Sequence, residues 1–309
     1  MKLTFVVPCY NEEKNIRLFY EDVVKNFKDA KYDIELIFIN DGSKDNTIGE
    51  LRKIAKLSDF KVKVIDFSRN FGKEAGIYAG LQNSTGDYTV LIDADMQQPP
   101  SLVIEMLDCI TKDDTIDIVT YYQKTRIEGK TLSFFKKSFY SIINKLTNLN
   151  FVNGASDFRL IKRNVLEAIL SLPEGERFSK GIFAWIGFNT KYLPYVPSSR
   201  ANGKTSWSFK KLIKYAISGI LSFVNKPLKI IVHIGIFNII VSAIWFIILS
   251  ILSCSAYNFQ YILSFILLIS GLNFIVLGYM GEFISRTYNE TRNRPVYIAR
   301  EVISNEKNK

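Results

Sequence analysis

Short β-rich apolar runs alternate with amphipathic segments along residues 1–125. The runs are LTFVVP (3–8), IELIFIN (34–40), VKVIDF (62–67), YTVLID (88–93) and IDIVTY (116–121). Between them, segments 13–27, 45–58, 73–83 and 101–112 place apolar residues at helical spacing. Strand–helix alternation of this kind predicts an α/β fold, with a mostly parallel sheet covered by helices. In such sheets ligands bind beyond the carboxyl ends of the strands. Four of the five expected strand ends carry polar clusters: Cys9–Glu12, Asn40–Ser43, Ser68–Asn70 and Asp93–Asp95. One polar strand end is unremarkable; four at one edge predict a site.

The pattern changes in the second half. Segment 131–149 reads as a basic amphipathic helix, with Phe134, Phe135, Phe139, Tyr140 and Ile143 on one side and Lys136 and Lys137 opposite. Segment 206–223 interleaves Trp207, Phe209, Leu212 and Tyr215 with Lys210, Lys211 and Lys214, a composition suited to the headgroup plane of a membrane. From Ile230 to Gly281 there is no Asp, Glu, Lys or Arg, and only His233 can titrate. That stretch holds two spans of roughly 20 residues each, expected at 230–252 and 260–281. His233, near a span end, is read as bonding locally. A hairpin puts both flanks on one side, and both are basic, with Lys226 and Lys229 before it and Arg286, Arg292 and Arg294 after it. By the positive-inside rule that side is the cytoplasm. The expected organisation is therefore a cytoplasmic catalytic domain (1–205), a juxtamembrane amphipathic segment (206–229), two transmembrane helices (230–281) and a cytoplasmic tail (282–309), in a multi-pass protein of the plasma (inner) membrane.

Composition adds charge to this picture. The 309 residues carry a formal net charge of +10, which favours anionic lipid and phosphate-bearing ligands. No basic repeat or base-reading motif accompanies it, so nucleic acid is not an expected partner. Cys9, Cys109 and Cys254 are too few and too scattered for a disulfide framework or a zinc site. The opening apolar run is too short for a signal peptide and is read as the start of folded structure.

Candidate chemistry centres on LIDADMQQPP (91–100). Side chains at i and i+2 of a strand share a face, so Asp93 and Asp95 can address one cation. Mg²⁺ or Mn²⁺ accepts such carboxylates together with phosphate oxygens. The plainer alternative is a solvated strand end punctuated by Pro99 and Pro100.

The runs FVVPCYNEEKNI (5–16), FINDGSKDNT (38–47), DFSRNFGKEAGIYAG (66–80) and DADMQQPP (93–100) together resemble family 2 glycosyltransferases of the GT-A fold. SDFRLIKRNV (156–165), RFSKGIFAWIGF (177–188), RANGKTSWSF (200–209) and the segment 280–302 are similar to the polyprenyl-phosphate branch, which includes bactoprenol glucosyltransferases and dolichol-phosphate mannose synthases. The resemblance implies a nucleoside pocket from Pro8, Tyr10, Glu12, Ile39 and Asp41. It also implies a metal–diphosphate corner at Asp93, Ala94 and Asp95, with Gln97 as a further metal contact. Asn11 and Glu12 have a helix-capping alternative. Arg69 and Lys73 are placed to meet phosphate or to settle their loop, with a plain surface role as the alternative. Gln98 stands where the branch often has an acid.

On the acceptor side, Asp157 matches the acid of the branch's Gly-Asp-Phe-Arg motif, although Ser156 replaces its glycine. It either orients the nucleophile or contacts sugar, or is a turn acid paired with Arg159 or Arg163. Arg126, Arg200 and Lys204 resemble phosphate-binding residues, while Ser206 replaces a lysine expected there. The implied activity is inverting, metal-dependent transfer of one hexose from a nucleotide sugar, UDP-glucose foremost, to polyprenyl (undecaprenyl) phosphate, with Asp95 and Asp157 as catalytic residues. Rival readings are UDP-N-acetylglucosamine or GDP-mannose as donor, a processive polysaccharide synthase, and a non-catalytic lipid-binding scaffold. A flippase for the product and a homo-oligomer, a tetramer, are the implied partners besides the bilayer.

Overall fold

The computed structural model describes residues 1–123, 155–172, 174–175, 177–195, 258–292 and 294–305. The expected helix at 131–149, the amphipathic segment 206–223 and the first span at 230–252 lie outside them. The chain divides into two compact units, Met1–Gly219 with Pro295–Lys309, and Ile220–Arg294.

The first unit is built on an eight-stranded sheet: β1 (Lys2–Cys9), β2 (Asp33–Asn40), β3 (Lys61–Phe67), β4 (Tyr88–Leu91), β5 (Ile118–Gln123), β6 (Ala155–Lys162), β7 (Thr190–Tyr195) and β8 (Ala299–Ser304). Its order is β7-β5-β6-β4-β1-β2-β3-β8. Strands β4, β1, β2 and β3 pair in parallel, and β6 and β8 flank them antiparallel. The chain steps outward from β1 to β3, then returns across β1 to β4. Strand order therefore reverses between β1 and β4, which opens a crevice over their carboxyl ends.

The first four helices follow the sequence pattern closely. They are α1 (Glu13–Phe27), α2 (Thr47–Leu57), α3 (Lys73–Asn83) and α4 (Leu102–Lys112), then α5 (Arg163–Leu170) and α6 (Ser179–Trp185). One face of the sheet, carrying Phe5, Val7, Phe38 and Val64, packs on Ile16, Phe19 and Val23 of α1, Leu51 of α2 and Met106 of α4. The opposite face meets α3. Gly80 lets that helix approach so closely that a Cβ there would stand 2.1 Å from Val6 Cγ1 and 2.9 Å from Ile39 Cδ1. The result is a three-layer α/β/α arrangement.

Three strands and two helices of this unit were not expected from periodicity: β6, β7, β8, α5 and α6. The tail 282–309 contains β8, which pairs with β3, and Tyr297 stacks on Phe67 at 4.9 Å. Strand β4 is shorter than the run 88–93 and releases Asp93 into the following loop.

The second unit contains α7 (Asn258–Thr291), a helix of 34 residues that includes the expected span 260–281. Among the described residues, no helix is long and apolar enough to cross a membrane.

Candidate active site

The loops that follow β1 and β2 are laced together. Asn11, in a left-handed conformation (φ 58°), donates its amide to Ser43 Oγ at 2.9 Å and accepts from Lys44 N at 2.8 Å. Glu12 N donates to Thr47 Oγ1 at 2.9 Å. The Glu12 side chain makes no cap to the α1 backbone; it accepts from Asn15 Nδ2 at 2.6 Å. Tyr10 is 40% exposed, so its ring is available to a ligand. Ile39 and Ala94 are buried, and their side chains face the interior. Any ligand contact from them is through the main chain.

Asp41 is committed to its own fold. Its carboxylate accepts from Phe71 N at 2.6 Å, from Gly72 N at 3.0 Å and from Asn70 Nδ2 at 3.0 Å. Gly42 makes this clamp possible, because its φ is +62° and a Cβ would stand 2.5 Å from the Arg69 carbonyl carbon. Burial pushes the Asp41 carboxyl above its ordinary value, against the loop amides and Arg69. Arg69 lies over the Phe71 ring at 4.1 Å.

The clamp delivers the start of α3 to the crevice. Lys73 Nζ lies 2.8 Å from Asp93 Oδ2 and 3.1 Å from Asp157 Oδ2. Lys180 Nζ stands 3.7 Å from Asp157 Oδ1. Strand register explains why the acids meet: β4 and β6 run antiparallel with Leu91 opposite Arg159, so two residues further along brings Asp93 level with Asp157. Asp157 is therefore the third residue of β6 and does not sit in a turn. Arg163, the other cation weighed for it, pairs instead with Glu167 at 2.9 Å. Burial alone would raise the Asp157 carboxyl, but Lys180, Lys73 and Arg159 outweigh it and hold the group well below the usual carboxylate range. Burial would likewise lower Lys73, yet Asp93 and Asp157 raise it well above the ordinary lysine value. Both shifts favour the charged forms near neutral pH.

The loop 93–100 is braced from both sides. Asp95 Oδ1 accepts from Gln97 N at 3.1 Å, and Met96 takes the left-handed conformation (φ 59°). The Tyr195 hydroxyl of β7 donates to the Gln97 carbonyl. The Gln98 amide faces Ser156 Oγ, with Nε2 at 2.7 Å and Oε1 at 3.1 Å. Two of the three positions that depart from the branch pattern thus contact each other. Leu102 N and Val103 N donate to the Pro99 and Pro100 carbonyls, turning the chain into α4.

Asp93, Asp95 and Gln97 offer hard oxygen donors, the set suited to a divalent cation that also holds phosphate. Asp93 already attracts a cation, the Lys73 ammonium, so its side of the crevice suits positive charge. Among the described residues, no group of three or more His, Cys, Asp or Glu forms a closed metal cage. An open site completed by ligand oxygens is the arrangement that fits. Arg126, Arg200, Lys204 and Ser206 lie outside the described residues.

Lys180, Glu74 and Tyr195 were not singled out from sequence. Glu74 accepts from Ser179 N at 2.9 Å and also from Ser179 Oγ, fixing the start of α6 and hence Lys180. Lys180 lies within RFSKGIF, a stretch already linked to the family pattern, but a single lysine in an amphipathic run carries no signal of its own.

The glycosyl transferase family 2 profile matches residues 4–170. CsbB of Bacillus subtilis (strain 168) is 38% identical over 97% of this chain and 91% of its own. The prophage bactoprenol glucosyl transferase homolog of Escherichia coli (strain K12) is 37% identical over 98% of this chain and 99% of its own. The bactoprenol glucosyl transferase of Shigella phage SfV is 36% identical over 100% of both. Among solved structures, glucosyl-3-phosphoglycerate synthase from Mycobacterium tuberculosis is 20% identical, with 72% of this chain and 79% of that chain covered at a TM-score of 0.49.

Proposed function

The chain belongs to glycosyl transferase family 2, and we propose that it transfers one hexose, glucose from UDP-glucose, to polyprenyl phosphate at a membrane surface. The observation that carries the reading is the ion-paired cluster of Asp93, Lys73, Asp157 and Lys180 over the carboxyl edge of the sheet. The names of the bactoprenol glucosyl transferases matched end to end support the sugar and the acceptor class.

Tyr10 and the loops after β1 and β2 form one wall of the donor pocket, supplying a ring face and main-chain groups to the nucleoside. Asp41 contributes by holding the Phe71–Gly72 amides in place. Asp93, Asp95 and Gln97 would hold a divalent cation, Mg²⁺ or Mn²⁺, which neutralises the diphosphate and stabilises it as a leaving group. The acceptor monophosphate is already anionic near neutral pH and needs little help from a base. Asp157, locked as a carboxylate, is a poor proton acceptor, and its work is to hold two ammonium groups in the crevice. Arg126, Arg200 and Lys204 are assigned to phosphate. Attack on the anomeric carbon opposite the leaving diphosphate inverts its configuration and gives a β-linked lipid sugar.

Membrane attachment is assigned to 230–252 and 260–281, with 206–229 in the headgroup layer and the catalytic unit in the cytoplasm. The return of the chain to β8 supports an even number of crossings, because both ends of the 220–294 unit join the same folded unit. A flippase and a tetrameric assembly complete the proposal.

The test is incubation of membranes carrying the protein with labelled UDP-sugars, polyprenyl phosphate and Mg²⁺, followed by product mass. A lipid bearing a single hexose from UDP-glucose is expected. Polymer, transfer from another donor alone, or no transfer overturns the reading.

A further inference from the structure

Strand β8 closes the sheet beside β3 and is irregular where it meets the end of that strand. Glu301 lies opposite Asp66 and Ala299 opposite Phe67, so Arg300 is an extra residue of β8 at a β-bulge. In an unbroken ladder it would face Phe67; a bulge re-aims the side chain it carries. Here the guanidinium reaches the carboxyl end of β3. One terminal nitrogen donates to the Ser68 carbonyl at 2.9 Å, and the other stands 3.7 Å from Asp66 Oδ2. Neighbouring residues reinforce that grip. Ser68 N donates to the Ile298 carbonyl at 2.9 Å, Tyr297 stacks on Phe67, and the Tyr297 hydroxyl donates to Gln82 Oε1 of α3 at 3.0 Å.

Both held residues lead into the donor pocket. Asp66 is buried, and its other oxygen accepts from Asn40 Nδ2 at 2.7 Å. Asn40 Oδ1 in turn accepts from Ser43 N at 3.4 Å, and Ser43 Oγ accepts from the Asn11 amide. That route runs from the tail to the loops after β2 and β1. Ser68 opens the loop whose Phe71 and Gly72 amides are clamped by Asp41, and the Phe71 ring meets Phe67 edge-on at 5.7 Å. This second route ends at Lys73, the first residue of α3. The Arg300 side chain is 65% exposed and its pair with Asp66 is long, so it adds little to overall stability. What the bulge secures is the placement of two strand ends.

We propose that Arg300 is a positioning residue for the nucleotide: with Tyr297 and Ile298 it forms an outer support that holds Asp66 and Ser68, and through them the loops that line the donor pocket. The inference rests on the nucleotide-sugar reading above.

The test reads binding and loop order separately. Full-length protein in nanodiscs is titrated with UDP in the presence of Mn²⁺, and amide hydrogen exchange at 68–72 is followed without either. Arg300→Met is expected to weaken UDP about tenfold and to speed exchange at 68–72 about tenfold, while exchange in α1 stays unchanged. In transfer assays its KM for UDP-glucose rises by a similar factor and kcat stays within about twofold. Arg300→Lys keeps the charge but has one nitrogen for two partners. It is expected to weaken UDP about threefold, and it guards against a misfolded methionine variant. Glu301→Gln breaks the Arg52–Glu301 pair on the same strand and leaves UDP affinity at the wild-type value. Wild-type UDP affinity in either Arg300 variant, an equal loss in Glu301→Gln, or faster exchange throughout the sheet overturns the support while leaving the reaction standing. Failure of the wild type to bind Mn²⁺–UDP overturns the donor reading, whereas unchanged exchange at 68–72 in Arg300→Met overturns the support by itself.

Discussion

Asp93 and Asp95 share a loop but differ in surroundings: the first faces an ammonium, and the second closes a turn with the Gln97 amide. Asn at position 95 can keep that turn, because its Oδ1 also accepts a hydrogen bond. Asp95→Asn is therefore expected to lower transfer by about 100-fold or more while the melting temperature stays within about 2 °C of wild type. Transfer assays beside thermal denaturation check this, and undiminished turnover would remove the metal role. Glu35 offers a separate test of buried charge. It is 7% exposed, and it accepts from Thr4 Oγ1 at 2.5 Å and Thr85 N at 3.0 Å, with Lys2 Nζ at 3.1 Å. Burial would raise its carboxyl, yet the bonds from Thr4, Thr85 and Lys2 outweigh it and lower the value. A depressed folded value contributes stability that is fully present above the ordinary value near 4.5 and is lost as pH falls through the lower folded value. Glu35→Gln is expected to cost about 1–3 kcal/mol at pH 7, with the gap to wild type closing below that range. Denaturant titrations at several pH values measure it; a pH-independent gap would contradict the assignment.

At the scale of elements, α3 is the piece on which the site is hung. Its inner face is made of small residues, Ala75, Gly76, Ala79 and Gly80, so it lies close on β1 and β2. That closeness brings Lys73 and Glu74 to the strand ends. Gly80→Ala gains helix propensity of about 1 kcal/mol but drives a methyl into Val6 and Ile39, an overpacking cost of about 1–3 kcal/mol. A net loss of stability is expected, accompanied by weaker nucleotide binding as α3 lifts; a variant melting above wild type would show that the helix can retreat without cost. Helix α1 was legible to its ends because its apolar periodicity is written locally. Strand β6 was not legible as an element, although its residues were recognised as a motif. Its SDFRLIK run mixes charge with apolar residues, because it is buried between β4 and β5 while its first residues face the crevice.

At the scale of the molecule, the return of the chain governs topology. Residues before 219 and after 295 share one sheet-based unit, and β8 closes the β3 edge with Arg52–Glu301 as a peripheral ion pair. Tags at the two chain ends are therefore expected on the same face of a membrane. In sealed inside-out vesicles, protease should remove both; protection of one alone would require an odd number of crossings.

The sequence by itself determined the alternation of β1–β5 with α1–α4, the polar strand ends, the carboxylate pair at 93 and 95, and the charge-free stretch from 230 to 281. These are properties of neighbouring residues, set by backbone period and side-chain polarity. Only the tertiary structure decided that Lys73 bridges Asp93 and Asp157, that Asp41 spends its carboxylate on the 70–72 loop, that Lys180 joins the cluster and that β8 completes the sheet. Each of those depends on strand register and on contacts between residues far apart in the chain, where a single residue's slip would point a different side chain into the crevice.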